Sequence, residues 1–220
     1  MNKSSQTPSE EAGPRTARRQ RGHARVEVLL AAAASVFADK GYDAATTTEI
    51  AAAAQSSIGS LYQFFPTKQA IAQALITQQA VDLSARLDAM AAASPGWEVD
   101  ELARRLAGAL VDFRATHPSF ARLADSPGAP DTIVLGVRRS MRLQLIAILA
   151  PHAPSLGKAR LMAVATAVQQ VMKSVVALND DPAADTPAAA RAAQAELREM
   201  LRGYLTATLG QERRNTRAGP

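Results

Sequence analysis

The sequence predicts an all-α protein: three N-terminal helices, two of them short, followed by a larger helical body. Three observations carry this expectation. Apolar residues recur at spacings of three and four over most of the chain. Alanine, the strongest helix former, is abundant, while alternating β-branched runs are scarce. Clusters of proline and glycine divide the periodic stretches into helix-sized pieces.

Taken in order, residues 1–20 are rich in Ser, Thr, Pro and charge and read as a disordered basic arm. Residues 21–40 form the first predicted helix, with Val26, Leu29, Leu30, Ala33, Val36 and Phe37 on one face and Gly41 placed to end it. Thr46-Thr47-Thr48-Glu49 is a helix start, a hydroxyl cap followed by an acid near the positive end of the dipole. That helix is short, ending at Ala54. Gln55-Ser56-Ser57 breaks the chain, and a second short helix covers residues 58–64 until Pro66 stops it. Thr67 caps a longer helix reaching about Ala93. Beyond it, helices are expected near residues 97–116, 119–125, 131–150, 155–179 and 187–210, and residues 211–220 read as a frayed, disordered tail. The expected units are therefore 1–20 as arm, 21–68 as helix-turn-helix, 69–210 as body and 211–220 as tail.

Composition narrows the function. The net charge of +5 suits a polyanionic partner. The absence of cysteine excludes a disulfide framework, a thiolate nucleophile and a Cys-ligated zinc site. His23, His117 and His152 are scattered, and none has a second ligand at i+3 or i+4, so no metal is expected. No nucleophile elbow, phosphate loop or dinucleotide fingerprint occurs, and no paired acids sit in an apolar setting; neither an enzyme nor a cofactor is expected. No apolar leader is read at the N-terminus, and the most apolar window, 161–178, is interrupted by Gln169, Gln170 and Lys173. A cytoplasmic protein without a membrane partner is the expectation.

Two short helices across a tight break, flanked by longer ones, make a helix-turn-helix. Its second helix must be short, project outward and carry small or hydrogen-bonding residues at its N-terminal end if it is to enter a major groove. Here that end reads Ser57-Ile58-Gly59-Ser60. Gly59 allows close backbone approach, Ser57 and Ser60 offer hydroxyls, Leu61 and Phe65 are spaced to anchor the helix, and Tyr62 and Gln63 can point outward. The serines can equally serve as helix caps.

The stretch Thr47-Thr48-Glu49-Ile50-Ala51-Ala52-Ala53-Ala54, with Ile58-Gly59-Ser60-Leu61-Tyr62-Gln63-Phe64-Phe65-Pro66-Thr67-Lys68, resembles the DNA-binding domain of the tetracycline-repressor (TetR) family, over about residues 21–75. The resemblance implies a homodimeric, ligand-responsive repressor: a three-helix DNA reader on a ligand-binding and dimerisation body, leaving a palindromic double-stranded operator when a small lipophilic effector binds. The alternative is a DNA-binding regulator, activator or architectural, without a small-molecule ligand. By position, Thr46, Thr47 and Thr48 would meet phosphate, as would Tyr62 and Lys68. Ser57, Ser60 and Gln63 would reach base edges, Ile58 and Gly59 would lie against the groove, and Arg21 and Arg25 belong to the basic approach. Three positions depart from the family pattern. Gln55 and Ser56 replace the usual glycine and valine of the turn, so Gln55 must take positive φ or the turn must differ. Phe64 cannot donate a hydrogen bond and is expected to make an apolar contact.

In the body, Trp97, Phe113, Phe120, Met141 and Met162 are candidates for an effector pocket, with His117, Gln144, Gln169 and Lys173 as orienting polar groups. Plain core packing is the competing reading for each apolar one. The last two long helices, one-sidedly apolar and rich in small residues, are suited to a dimeric four-helix bundle.

Overall fold

The computed structural model describes residues 14–124, 126, 131–178 and 186–217. Among these there is no β-strand, and nine α-helices follow one another: α1 (Pro14–Ala44), α2 (Thr47–Ala53), α3 (Ile58–Phe64), α4 (Lys68–Ala93), α5 (Val99–Thr116), α6 (Pro118–Ala124), α7 (Asp131–Leu149), α8 (Lys158–Ala177) and α9 (Pro187–Arg217). No helix among the described residues is long and apolar enough to cross a membrane.

Two differences from expectation lie at the ends. Residues 14–20, read as part of the arm, continue α1, because Pro14 sits where a helix tolerates proline and no breaker follows. Residues 1–13 of that arm lie outside the described residues. Residues 211–217 of the expected tail likewise continue α9, and 218–220 lie outside. A third difference is internal. Trp97 closes a single 3-10 turn at Ser94–Gly96, so α5 begins two residues later than the pattern suggested.

Two apolar cores meet along the chain. The first joins Leu29, Ala33 and Phe37 of α1 to Ile50 of α2, Leu61 of α3, and Ile71, Leu75 and Ile76 of α4. The second joins Leu83 and Leu87 of α4 to Leu102, Leu106 and Phe113 of α5, Leu145 and Ile148 of α7, Val164 and Val168 of α8, and Leu201 and Leu205 of α9. α4 thus serves both: it begins at the expected limit, residue 68, and its Ile71, Leu75 and Ile76 still belong to the first core. α6 crosses between them. Leu123 is buried in the first core, while Phe120 packs against both. A buried hydrogen bond from Gln79 Nε2 to Ser119 Oγ (2.9 Å) fixes α6 on α4.

Candidate DNA-binding face and effector cavity

The helix-turn-helix is held by local devices that the sequence encodes. At Gly41 the backbone turns through φ 75°, breaking α1 one short turn before Ala44. α2 begins on a complete capping box. Thr46 Oγ1 accepts from Glu49 N, and Glu49 Oε2 accepts from Thr46 N at 3.0 Å. Glu49 Oε1 also accepts from Lys40 Nζ at 2.6 Å, joining α2 to α1. The Lys40 ammonium, then the Thr46 bonds, hold the Glu49 carboxyl down to about 2. The one acid in the first turn of α2 is thereby offset by a cation.

Gln55 takes φ 48°, the left-handed backbone that glycine adopts freely. The turn therefore keeps its geometry with a costlier residue. Ser56, the second departure, has a partner. Arg25 Nη2 donates to Ser56 Oγ at 2.6 Å, so a polar link from α1 stands where an apolar plug was expected. Ser57 caps α3, its hydroxyl accepting from Ser60 N at 3.2 Å.

α3 is anchored by Leu61 (0% exposed) and Phe65 (7%), with Phe64 half-buried against the same core. Its other side faces solvent: Ser57, Ile58, Gly59, Tyr62 and Gln63 are exposed, and Ser60 is half-exposed. Nothing lies within 4 Å of where a Cβ on Gly59 would stand, so nothing inside the fold requires glycine there. Tyr62 is 48% exposed, and its hydroxyl shares a 3.1 Å hydrogen bond with Thr47 Oγ1. That bond brings the start of α2 and the outer face of α3 side by side. Thr46 and Thr48 are exposed at the start of α2, and Arg21 is exposed on α1.

Two of the cations expected to meet DNA are engaged within the protein. The Arg25 guanidinium is the one on Ser56. The Lys68 ammonium donates to the carbonyls of Tyr42 (2.7 Å), Asp43 (3.1 Å) and Ala45 (2.9 Å) and stands over the Tyr42 ring at 4.6 Å. Three carbonyls take up the three N–H donors of one ammonium. Lys68 thus closes the C-terminal end of α1, just after the positive-φ glycine.

In the body, a cavity of about 340 Å³ lies among α4, α5, α6, α7 and α8. Of the residues expected there, Phe113, Phe120, Met141, Gln169 and Lys173 line it. Four others do not. Trp97 packs into the second core under the Arg105 guanidinium, 4.6 Å from its ring centroid. His117 stacks behind Phe113 at 4.5 Å and bonds Asp82 at 3.1 Å. Gln144 lines a separate cavity of about 300 Å³ between α4 and α7, where its Nε2 donates to Ser84 Oγ at 2.6 Å. Met162 is exposed on the outer side of α8. Val134, Val137 and Arg138 of α7 also line it and were missed, as were Ile76 and Leu83 of α4 and Leu110 and Arg114 of α5. With Met141 the three from α7 form an i, i+3, i+4, i+7 stripe, which was legible as a face but not as the face of a cavity. Among the described residues, no three His, Cys, Asp or Glu side chains group to hold a metal ion.

Comparison with known proteins agrees with this division. The family model described as bacterial regulatory proteins, tetR family, matches residues 29–75, and that described as tetracyclin repressor-like, C-terminal domain, matches residues 99–205. The A-factor receptor protein of Streptomyces griseus is 47% identical over 51 residues, a match spanning 23% of this chain and 18% of that protein. A tetR-family transcriptional regulator from Streptomyces coelicolor superimposes with a TM-score of 0.62 at 23% identity, covering 86% of this chain and 90% of its own. FadR of Bacillus subtilis, solved with stearoyl-CoA, superimposes with a TM-score of 0.61 at 16% identity, covering 80% and 96%. At these identities the structural likeness is one of fold.

Proposed function

Because this chain belongs to the TetR family of DNA-binding transcriptional regulators, which are not enzymes, we propose that it is a homodimeric repressor that leaves a palindromic operator when a small lipophilic effector enters the body. The observation that carries this reading is the outer face of α3. Its polar and small side chains stand in solvent while Leu61 and Phe65 hold the helix from beneath. Such a helix is dimensioned for a major groove.

In this reading Ser57, Ser60 and Gln63 meet base edges, and Ile58 and Gly59 lie against the groove wall. Tyr62, Thr46, Thr47, Thr48 and Arg21 meet phosphate, and Phe64 makes the apolar contact nearest the backbone. Lys68 and Arg25 act one step back, as positioning residues that fix α1 against the turn. The reader occupies about residues 21–68 and the body 69–210, in the cytoplasm with the DNA. Dimerisation uses α8 and α9, whose outer sides expose Met162, Ala163, Ala167, Met200, Gly203 and Ala207. Small residues there let helices of two copies approach closely.

The effector reading is supported by the cavity's place in the fold. Ile76 and Phe120 line it and also belong to, or pack against, the core of the reader. A molecule that shifts α6 or α4 therefore moves the seat of α1 and α3. Selection of bound duplexes from a random pool tests the reading. A palindromic consensus with half-site centres about 34–36 Å apart is expected. Recovery of unselected DNA at low salt would refute it.

A further inference from the structure

Gln144, expected in the effector cavity, lines the other one. That second cavity, about 300 Å³ between α4 and α7, shares Leu83, Val137 and Met141 with the first. These three side chains stand as a wall between the two. Away from the wall the second cavity meets solvent: Thr77, Val81, Gly136 and Ser140 are exposed, Val81 at 64%. An apolar side chain thus stands uncovered on its rim.

Gly136, Ser140 and Gln144 stand at successive turns of α7 and form one side of this outer cavity. The Gln144 amide is oriented from α4. Its Nε2 donates to the Ser84 carbonyl at 3.0 Å, to Ser84 Oγ at 2.6 Å and to Asp88 Oδ1 at 2.8 Å. A backbone carbonyl and a carboxylate only accept, so the nitrogen must face them and the side-chain oxygen faces elsewhere. That oxygen accepts no hydrogen bond among the described residues, and Ser140 makes none there either. Serine and threonine inside a helix can bond back to the carbonyl one turn earlier. Thr77, on the α4 side, does so to Gln73 at 2.8 Å, which leaves Ser140 as the open hydroxyl. Gly136 weakens a helix interior relative to alanine, and nothing lies within 4 Å of where its Cβ would stand. Its bareness gives the cavity room. No charged side chain is present among the described lining residues.

We propose that this outer cavity is a second ligand site, separate from the effector cavity, for a small uncharged molecule with an apolar body and a hydroxyl or N–H group. The donor meets Gln144 Oε1, one turn from the Ser140 hydroxyl. The body covers Val81 and lies against the wall of Leu83, Val137 and Met141. A charged guest would lose its water to a lining that supplies no opposite charge. At roughly 30 Å³ per non-hydrogen atom, the share of one water in the liquid, the volume takes about ten atoms. Because the wall is common, a guest here presses on side chains that also line the effector cavity, and any influence of one site on the other is reciprocal.

The test compares probes with one body and different heads: 2-phenylethanol, ethylbenzene, phenylacetate and 2-phenylethylamine. Each is titrated into the full-length chain and followed by methyl NMR. Val81 lines the outer cavity alone, while Leu110, Val134 and Val176 line the effector cavity alone, so their methyl signals tell the two sites apart. 2-Phenylethanol is expected to shift Val81 and to bind there about three- to tenfold more tightly than ethylbenzene, as one neutral hydrogen bond warrants. The acid and the amine are expected to bind there more weakly than the alcohol. Gly136→Leu fills the outer cavity from a position where the fold has space, so the Val81 response is lost while Tm holds or rises. Ser140→Leu, from an exposed position on the same side, serves if that variant folds poorly. A response confined to Leu110, Val134 and Val176, equal binding of alcohol and hydrocarbon, or tighter binding of either charged probe overturns the proposal. So does an unchanged Val81 response in both filled variants, or no response to any probe. None of these readings involves DNA, so their failure leaves the functional reading standing.

Discussion

Replacing Lys68 by methionine separates two roles that sequence position alone runs together. If the ammonium meets phosphate, the variant should lose about one unit from the slope of log affinity against log salt, as one fewer phosphate is neutralised. The structure instead engages its three N–H groups on the carbonyls of Tyr42, Asp43 and Ala45. The contacts to Tyr42 and Ala45 are partly buried, while water can replace the exposed one to Asp43. Half-exposure lowers the about 1.5–3 kcal/mol of a fully protected charged hydrogen bond to about 1–1.5 kcal/mol for each of the two partly buried contacts, and the exposed one adds little, so the loss of stability should be about 2–3 kcal/mol. For a chain of this size that is a fall in Tm of roughly 4–12 °C. Methionine keeps the stem's packing on the Tyr42 ring, so the loss reports the ammonium. Thermal unfolding by circular dichroism, paired with a salt-titrated DNA-binding measurement, reads both quantities. The expected result is a lower Tm with an unchanged salt slope. An unchanged Tm with a slope reduced by about one would refute the positioning role.

Other outcomes are expected nearby. Gly59→Ala should leave stability unchanged or raise it by up to about 1 kcal/mol, because nothing inside the protein opposes the Cβ. The same change should weaken binding to the selected duplex, and an unaltered affinity would show that the backbone there does not approach DNA. Gln55→Gly should stabilise the chain by about 1 kcal/mol by relieving the positive φ, as read by urea unfolding. Glu49, held to about 2 when folded, binds its proton less readily than the unfolded chain does. Its contribution is complete above the ordinary carboxylate pKa near 4.5 and is lost as pH falls from there toward 2. Glu49→Gln should therefore flatten the fall in stability over that acid window, and an unchanged pH profile would contradict the role given to the Lys40 pair.

Much of the reader was legible because its signals are local. The hydroxyl caps at Thr46, Ser57 and Thr67, the break at Gly41 and the anchors Leu61 and Phe65 depend on neighbours within a few residues. The strained turn could be stated as a choice, and Gln55 took the positive-φ branch of it. What escaped was contact between distant positions. Arg25 and Ser56 are 31 residues apart, and Lys68 lies 26 residues from Tyr42; no spacing rule links them. Their charge made both look like outward-facing cations. The body was less legible for a related reason. Trp97, Met162 and Phe113 are alike in type, but one packs in the core, one faces solvent and one lines the cavity. Which side of a helix looks at empty space is decided by where neighbouring helices stop, and periodicity does not record that. The ends were misread because polar, charged composition was taken for disorder, although nothing in residues 14–20 prevents a helix from being extended.

The placement of Leu123 has a bearing on how this chain could be divided or exchanged. A fragment ending after the helix-turn-helix would lack that side chain and leave a hydrophobic gap against α1, since Leu123 arrives from about fifty residues further on. Grafting the same fragment onto another body would succeed only if the recipient supplied an equivalent plug. Substitutions in α6 therefore act in two directions at once, on the cavity that Phe120, Ala121 and Ala124 line and on the fit of the reader that Leu123 plugs.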